Sequence, residues 1–235
     1  MIRPRSIAIS TAVLLFLLVS ASLCLGQQKA GVVTHLSGPL IAKKADGTAR
    51  VLSINSTVDR GDLLITEKKT YARVKFTDGG EVVLRPNTHF RISEYSFDQD
   101  TPKNDRAVFN LFKGGLRSIT GLIGKRADQD SYKLVTDTAV TGVRGTTYEC
   151  RICEGNCGSI PDGLYLYVIE GLIIVSNSAG SQNISAGQYA YVQNVNVAPK
   201  ILPANPGIDF TIPTVTGGEQ TQRGGATGDG GCIVR

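Results

Sequence analysis

Tryptophan is absent from this chain of 235 residues, methionine occurs once and histidine twice, beside seven phenylalanines and eight tyrosines. Each shortage excludes something. His35 and His89 stand in no motif with a serine or cysteine nucleophile, and an imidazole without an orienting partner is an ordinary surface or half-buried side chain. The glycine-rich stretch GGLRSITGLIGK lacks the closing G-K-S/T of a phosphate-binding loop. Past residue 26 no apolar run approaches the roughly 20 residues needed to cross a bilayer. Basic residues are scattered among acids, as at Lys43-Lys44, Lys68-Lys69, Arg73, Lys75 and Arg85, so a net charge of +5 builds no nucleic-acid footprint and no nucleic-acid partner is expected.

What is present begins with a leader. Arg3 and Arg5 form a basic start, Ile7 to Val19 an apolar stretch, and Ser20 to Gly26 a small-residue exit, so residues 1–26 read as an export signal and the mature chain as starting at Gln27. Removing Arg3 and Arg5 with it leaves a net charge of +3. Membrane attachment is expected only if Cys24 is lipidated or the signal stays uncleaved, and Leu23 is bulkier than the residue that usually precedes a lipidated cysteine. The expected location is the periplasm or cell envelope.

The 27 glycines and short alternating runs from Val32 to Val192 predict an all-β fold, with turn signals every eight to twelve residues. Residues 27–210 are read as one β domain. From 211 the composition shifts to glycine and polar residues, which predicts a flexible Gly-rich tail over 211–235. Around Asp78-Gly79-Gly80 the apolar set Ala72, Val74 and Phe76 must share a face with Val82 and Leu84. A three-residue loop that pairs Phe76 with Val82 and Val74 with Leu84 does this, with Gly80 left-handed and Arg73 opposite Arg85. A second hairpin is expected to turn at Glu170-Gly171. It puts Leu166, Val168, Ile173 and Val175 on one face, and Tyr165, Tyr167, Ile169, Leu172 and Ile174 on the other, as for strands covered on both sides. Leu116 to Lys125 is either a weak helix or a strand plus turn.

In an exported chain, Cys150, Cys153, Cys157 and Cys232 default to disulfide chemistry. Cys150 and Cys153 on one strand point to opposite faces and cannot easily bond each other. Glu154-Gly155-Asn156 can turn the chain so that Cys153 meets Cys157, leaving Cys150 as a buried thiol or as a partner for Cys232; four cysteines allow three connectivities, and the sequence does not choose. A zinc site on the three clustered cysteines lacks a nearby fourth ligand. No cofactor and no metal are expected. The acid pairs Asp98/Asp100 and Asp128/Asp130 sit in polar, loop-like segments; a hydrolase would need such carboxylates on facing walls of a cleft.

The segments TDTAVTGVRGTTY (136–148), VIEGLIIV (168–175) and SAGQYAYV (185–192) carry a threonine strand entry at Thr138, a glycine-bracketed step Gly142, Arg144, Gly145 and Thr146, a Glu170-Gly171 pair and a turn at Gly187. In that order they resemble the FecR domain, named after the regulator of ferric citrate uptake, over most of the chain from about residue 30 to Phe210. Asp137 departs from the proline usual in that family. The resemblance implies an elongated, solenoid-like or sandwich-like stack of short antiparallel strands. It implies a disulfide pair at Cys153 and Cys157, and a structural bridge from Arg144 to a carboxylate such as Asp137 or Glu149, with anion binding as the rival role. FecR itself has a cytoplasmic part that controls a sigma factor, whereas only a few residues precede the apolar segment here. The expected function is therefore a non-enzymatic envelope binding or scaffold module contacting another envelope protein or a glycan. The alternatives are a sensory accessory in sigma-factor and receptor signalling and, from a different class, a carboxylate-based hydrolase.

Overall fold

A computed structural model describes residues 28–126 and 130–212; the leader, Cys24, Asp128, Cys232 and the Gly-rich tail lie outside them. Short alternating strands build one sheet. One edge begins with β3 (Ala49–Leu52) and runs through β2 (Leu40–Lys43), β5 (Leu63–Thr66), β8 (His89–Ser96), β9 (Arg106–Lys113) and β11 (Tyr132–Val135) to β12 (Val140–Cys153). It continues through β10 (Gly115–Ile119), β7 (Glu81–Leu84), β6 (Ala72–Phe76) and β1 (Lys29–Leu36) to β4 (Thr57–Asp59). Neighbours are antiparallel except β9 and β11, which run parallel. From β12 the sheet also extends through β13 (Gly163–Asn177), which pairs with β14 (Gly180–Ser185) and β15 (Tyr189–Val192), and β15 pairs with β16 (Lys200–Leu202). Between β10 and β11 lies one helical turn, α1 (Ile123–Arg126), so Leu116 to Lys125 is strand followed by turn.

The twelve-strand path is rolled nearly closed around one continuous core that includes Leu40, Val74, Phe90, Phe109 and Leu166. Its two ends, β3 and β4, are neighbours in sequence, and ions stitch them together. Arg50 donates to Asp62 at 2.6 and 3.1 Å and to the Thr57 carbonyl at 3.1 Å, while Lys44 reaches Asp62 at 2.8 Å and Asp59 at 3.3 Å. The Asp62 side chain is fully buried. Burial alone would raise its pKa, but the bonds from Arg50, Lys44 and the Asp59 N–H outweigh this and hold it below the ordinary value.

Two turns differ from expectation. The β6–β7 loop does have three residues, but they are Thr77, Asp78 and Gly79, with Phe76 bonded to Gly80 and Val74 opposite Val82. Gly79, at φ +83°, takes the left-handed position expected of Gly80. Asp78 decides the placement: its carboxylate accepts from the Gly80 N–H at 3.0 Å and from the Tyr95 hydroxyl at 3.2 Å. Moving the register by two residues keeps every side chain on its expected face. It also puts Arg73 opposite Val83, not Arg85.

Glu170-Gly171 is no hairpin. β13 runs straight through it and pairs with β12 along nearly its whole length, from Val140↔Ser176 to Cys153↔Gly163. Register shifts between Arg144 and Tyr148, where Gly145 (φ +60°) on β12 faces Gly171 (φ +85°) on β13, so both strands kink together. The kink inserts a residue, which moves the inward face of β13 from Leu164, Leu166 and Val168 to Ile173 and Val175. Thr146 replaces the ladder bonds lost there: its hydroxyl donates to the Leu172 carbonyl at 2.7 Å and accepts from the Leu172 N–H at 3.2 Å.

Candidate binding face

The outer face of the sheet carries the chemistry that the interior excludes. Register aligns one row across eight strands: His35, Arg73, Val83, Arg117, Glu149, Tyr167, Tyr189 and Leu202. Beside it, Arg85, Arg151, Tyr165, Tyr191 and Lys200 form a second row. Alternation along each strand sends these residues outward because Leu84, Leu116, Cys150 and Leu166 point into the core.

At one end the face is aromatic. Tyr167 stacks on Tyr189 with ring centroids 4.4 Å apart, and Tyr165 lies 4.7 Å from Tyr191. Their side chains meet Ile208 and Phe210 of the segment that follows β16, which makes a second, smaller apolar cluster. The Tyr165–Tyr167 face is thus covered, while Leu172 and Ile174 beyond the kink are exposed. The hydroxyl of Tyr165 donates to the Pro161 carbonyl at 2.8 Å and that of Tyr191 to the Asp162 carbonyl at 2.7 Å, clipping the loop 154–162 against the sheet. Cys153 and Cys157 are joined in a disulfide at the base of this loop. Cys150, on the opposite face of the same strand, is a buried thiol whose pKa burial pushes up to about 12, which leaves it without thiolate reactivity.

Toward β7 the face is cationic. Arg117 pairs with Glu149, which is 2% exposed, and Arg85 and Arg151 line the neighbouring cleft. Arg117 Nε lies 2.8 Å from Glu149 Oε1 in an off-axis, ionic contact, and Glu149 Oε2 is buried with no donor among the described residues. Burial raises the pKa of Glu149, against the pull of Arg117 and Arg85. Burial and then Arg85 lower that of Arg151. Two clefts open here: one of about 250 Å³ between Arg85, Asn87 and Arg151, and one of about 620 Å³ between Arg117, Glu149, Tyr189 and Asp209.

The residues singled out in the sequence scatter relative to this face. Arg144 is exposed, makes no ion pair among the described residues, and bridges to neither Asp137 nor Glu149; Arg117 is the partner of Glu149. Gly145, Thr146, Glu170 and Gly171 belong to the kink, while Gly142 is paired regularly with Ile174 and Lys133 before it. Thr138 lies in the β11–β12 turn, where Thr136 accepts from the Ala139 N–H at 3.1 Å. Gly187 (φ +81°) is in the turn between β14 and β15, its N–H bonded to the Val168 carbonyl. His35 and His89 sit half-buried on strands, and Asp98 caps its own loop by accepting from the Asp100 N–H. No group of three potential metal ligands occurs among the described residues. Sequence reasoning missed the arginine–glutamate–tyrosine rows, because they are assembled only when five separate strands come into register. Outward parity beside buried neighbours was the available signal.

Residues 62–173 of this rolled, kinked β structure match the family model described as FecR protein. The matched stretch runs from the start of β5 into β13 and contains both kink glycines. No curated protein matches the chain. Two crystal structures, at 1.65 and 2.50 Å, of a candidate anti-sigma factor from Parabacteroides distasonis ATCC 8503 are similar at 14% identity with a TM-score of 0.47. Each similarity covers 60% of this chain and 59% of the other.

Proposed function

We propose that the protein is a non-enzymatic binding module of the cell envelope that uses this outer face to hold another envelope component. The observation that carries the reading is the buried oxygen of Glu149, which has no donor among the described residues, on a glutamate that pairs with Arg117 at the edge of a tyrosine platform and lines a cleft. A closed structural core pairs such an acceptor; a recognition surface leaves it for a ligand. The face offers planar arginine donors and aromatic area, the residue types that protein recognition surfaces favour. The FecR match also favours a second reading, a sensory accessory in extracytoplasmic signalling, where the held component is a receptor or sigma regulator.

The test is an affinity capture from envelope extract, comparing the tagged full chain with its Arg117→Glu/Arg151→Glu form. A component held by the first and lost by the second supports the reading, and its identity separates scaffold from signalling accessory. Equal retention by both places binding elsewhere. No retention by either sinks the module.

A further inference from the structure

The groove on the outer face is already occupied by part of the same chain. After β16, Asn205 folds a tight turn, accepting from the N–H groups of Gly207 at 2.9 Å and Ile208 at 3.0 Å. The chain then crosses the face as Ile208, Asp209, Phe210 and Thr211. Ile208 and Phe210 insert among the tyrosines, with the Phe210 ring 5.8 Å from Tyr167 and 5.9 Å from Tyr189. Asp209 lies 3.8 Å from Arg85, and Arg85 also donates to the Thr211 carbonyl at 3.1 Å. Apolar, acidic and apolar side chains thus alternate over an aromatic, cationic, aromatic floor.

Two observations separate this segment from the core. Among the described residues, no backbone-to-backbone hydrogen bond ties 205–212 to the sheet. The segment also fits imperfectly: Glu149 lines the same cleft as Asp209 and Thr211, its Oε2 has no donor among the described residues, and about 620 Å³ stays open there. A permanent core strand would form ladder bonds and pair its buried acceptors. A placeholder need do neither.

Resting on the binding-module reading, the geometry points to a groove for an extended peptide of a partner protein, with an apolar–acidic–apolar pattern and a hydrogen-bond donor toward Glu149, for which residues 205–212 are a resident competitor. A partner peptide displaces the segment, keeps its three anchor contacts and adds the missing bond. An intramolecular competitor has a high effective concentration, so a partner must exceed the segment's own fit to bind, and the unpaired acceptor provides that margin.

The test uses the full chain and a fluorescein-labelled peptide of residues 205–212, NPGIDFTI, read by fluorescence polarisation. Two variants release the segment: Ile208→Ala/Phe210→Ala, and Asp209→Lys, whose side chain is 68% exposed so that folding does not depend on it. Each released form is expected to bind the peptide at least tenfold more tightly than the unaltered chain. Arg85→Ala added to either should remove most of that gain. In a lysine scan of the peptide, at least one position is expected to tighten binding in a way that Glu149→Gln abolishes.

Absence of peptide binding in Asp209→Lys, with an unchanged melting curve, overturns the proposal. So does hydrogen exchange in the unaltered chain that is as slow over 205–212 as in β12, and so do released forms that run as dimers, which place a second copy in the groove. If the peptide fails while the Arg117/Arg151 variant still loses its envelope component, the competitor model falls and the binding module stands. If both fail, both fall.

Discussion

Glu149 is the residue whose surroundings are least settled. A glutamate held charged in a buried site with one oxygen unmet costs stability, on the order of 1–3 kcal/mol. Its folded pKa is raised above the ordinary 4.5, so the folded state holds the proton more tightly than the unfolded chain. Stability from this site is therefore greatest below pH 4.5 and is lost as pH rises through the raised value. Glu149→Gln should flatten that slope and raise the melting temperature at neutral pH by about 2–4 °C, as scanning calorimetry across pH would read. A lower melting temperature would mean that the ion pair with Arg117 outweighs the burial. Nothing in the run TTYEC marks Glu149 as buried. It alternates outward beside Tyr148 and Cys150, and outward normally means solvated; Arg117 and the crossing segment cover it, and they come from elsewhere in the chain.

The paired kink shows which features of an element are legible in sequence and which are not. Glu170-Gly171 between two apolar runs requires a left-handed residue and a change of face, and both a hairpin turn and a bulge satisfy that requirement. The expected face of Leu166, Val168, Ile173 and Val175 is the observed one, although the turn imagined to produce it does not exist. The distinction lies in the partner strand, where Gly145 kinks in step, and pairing over 14 residues of β12 is a long-range fact. The β6–β7 loop repeats the lesson on a smaller scale: loop length and facing were readable, but the bond from Tyr95 to Asp78 that fixes its position comes from β8. All-β architecture and the opposed directions of Cys150 and Cys153 depend on alternation alone, and so were readable. The two glycines should differ under substitution. A methyl group at Gly171 would lie 2.8 Å from the Gly145 carbonyl oxygen, whereas at Gly145 its nearest neighbour is the Lys125 side chain at 3.7 Å. Gly145→Ala should cost about 1–2 kcal/mol for the left-handed backbone alone. Gly171→Ala should cost about 3 kcal/mol or more, since overpacking adds to it. Urea unfolding of both variants measures the order, and equal costs would show that the close approach relaxes freely.

At the scale of the whole molecule, stability in acid depends on the seam between β3 and β4. Asp62 has a folded pKa below the ordinary 3.8, so its contribution is present above that value and is lost as pH falls through the lower folded one. The sign is opposite to that of Glu149. Asp62→Asn leaves Arg50 and Lys44 with Asp59 as their one remaining carboxylate and should cost about 1–3 kcal/mol at neutral pH. The penalty should shrink as pH falls through the lowered folded pKa, where the carboxylate of the unaltered protein is itself protonated. A penalty that stays constant with pH, followed by urea unfolding, would assign the loss to packing instead of charge.

The position of β12 has a consequence for how the molecule is made. Its residues before the kink pair with β11 and those after it with β10, so the ladder of paired strands is continuous between the two arms only there, while side chains such as Arg50 on Asp62 and Tyr95 on Asp78 join them elsewhere. A ribosome that has released everything up to Thr138 has produced two ladders whose edges at β11 and β10 are still bare. Vectorial synthesis therefore ends in a late, concerted closure, and a chain truncated before Val140 is a sticky intermediate, not a smaller version of the protein.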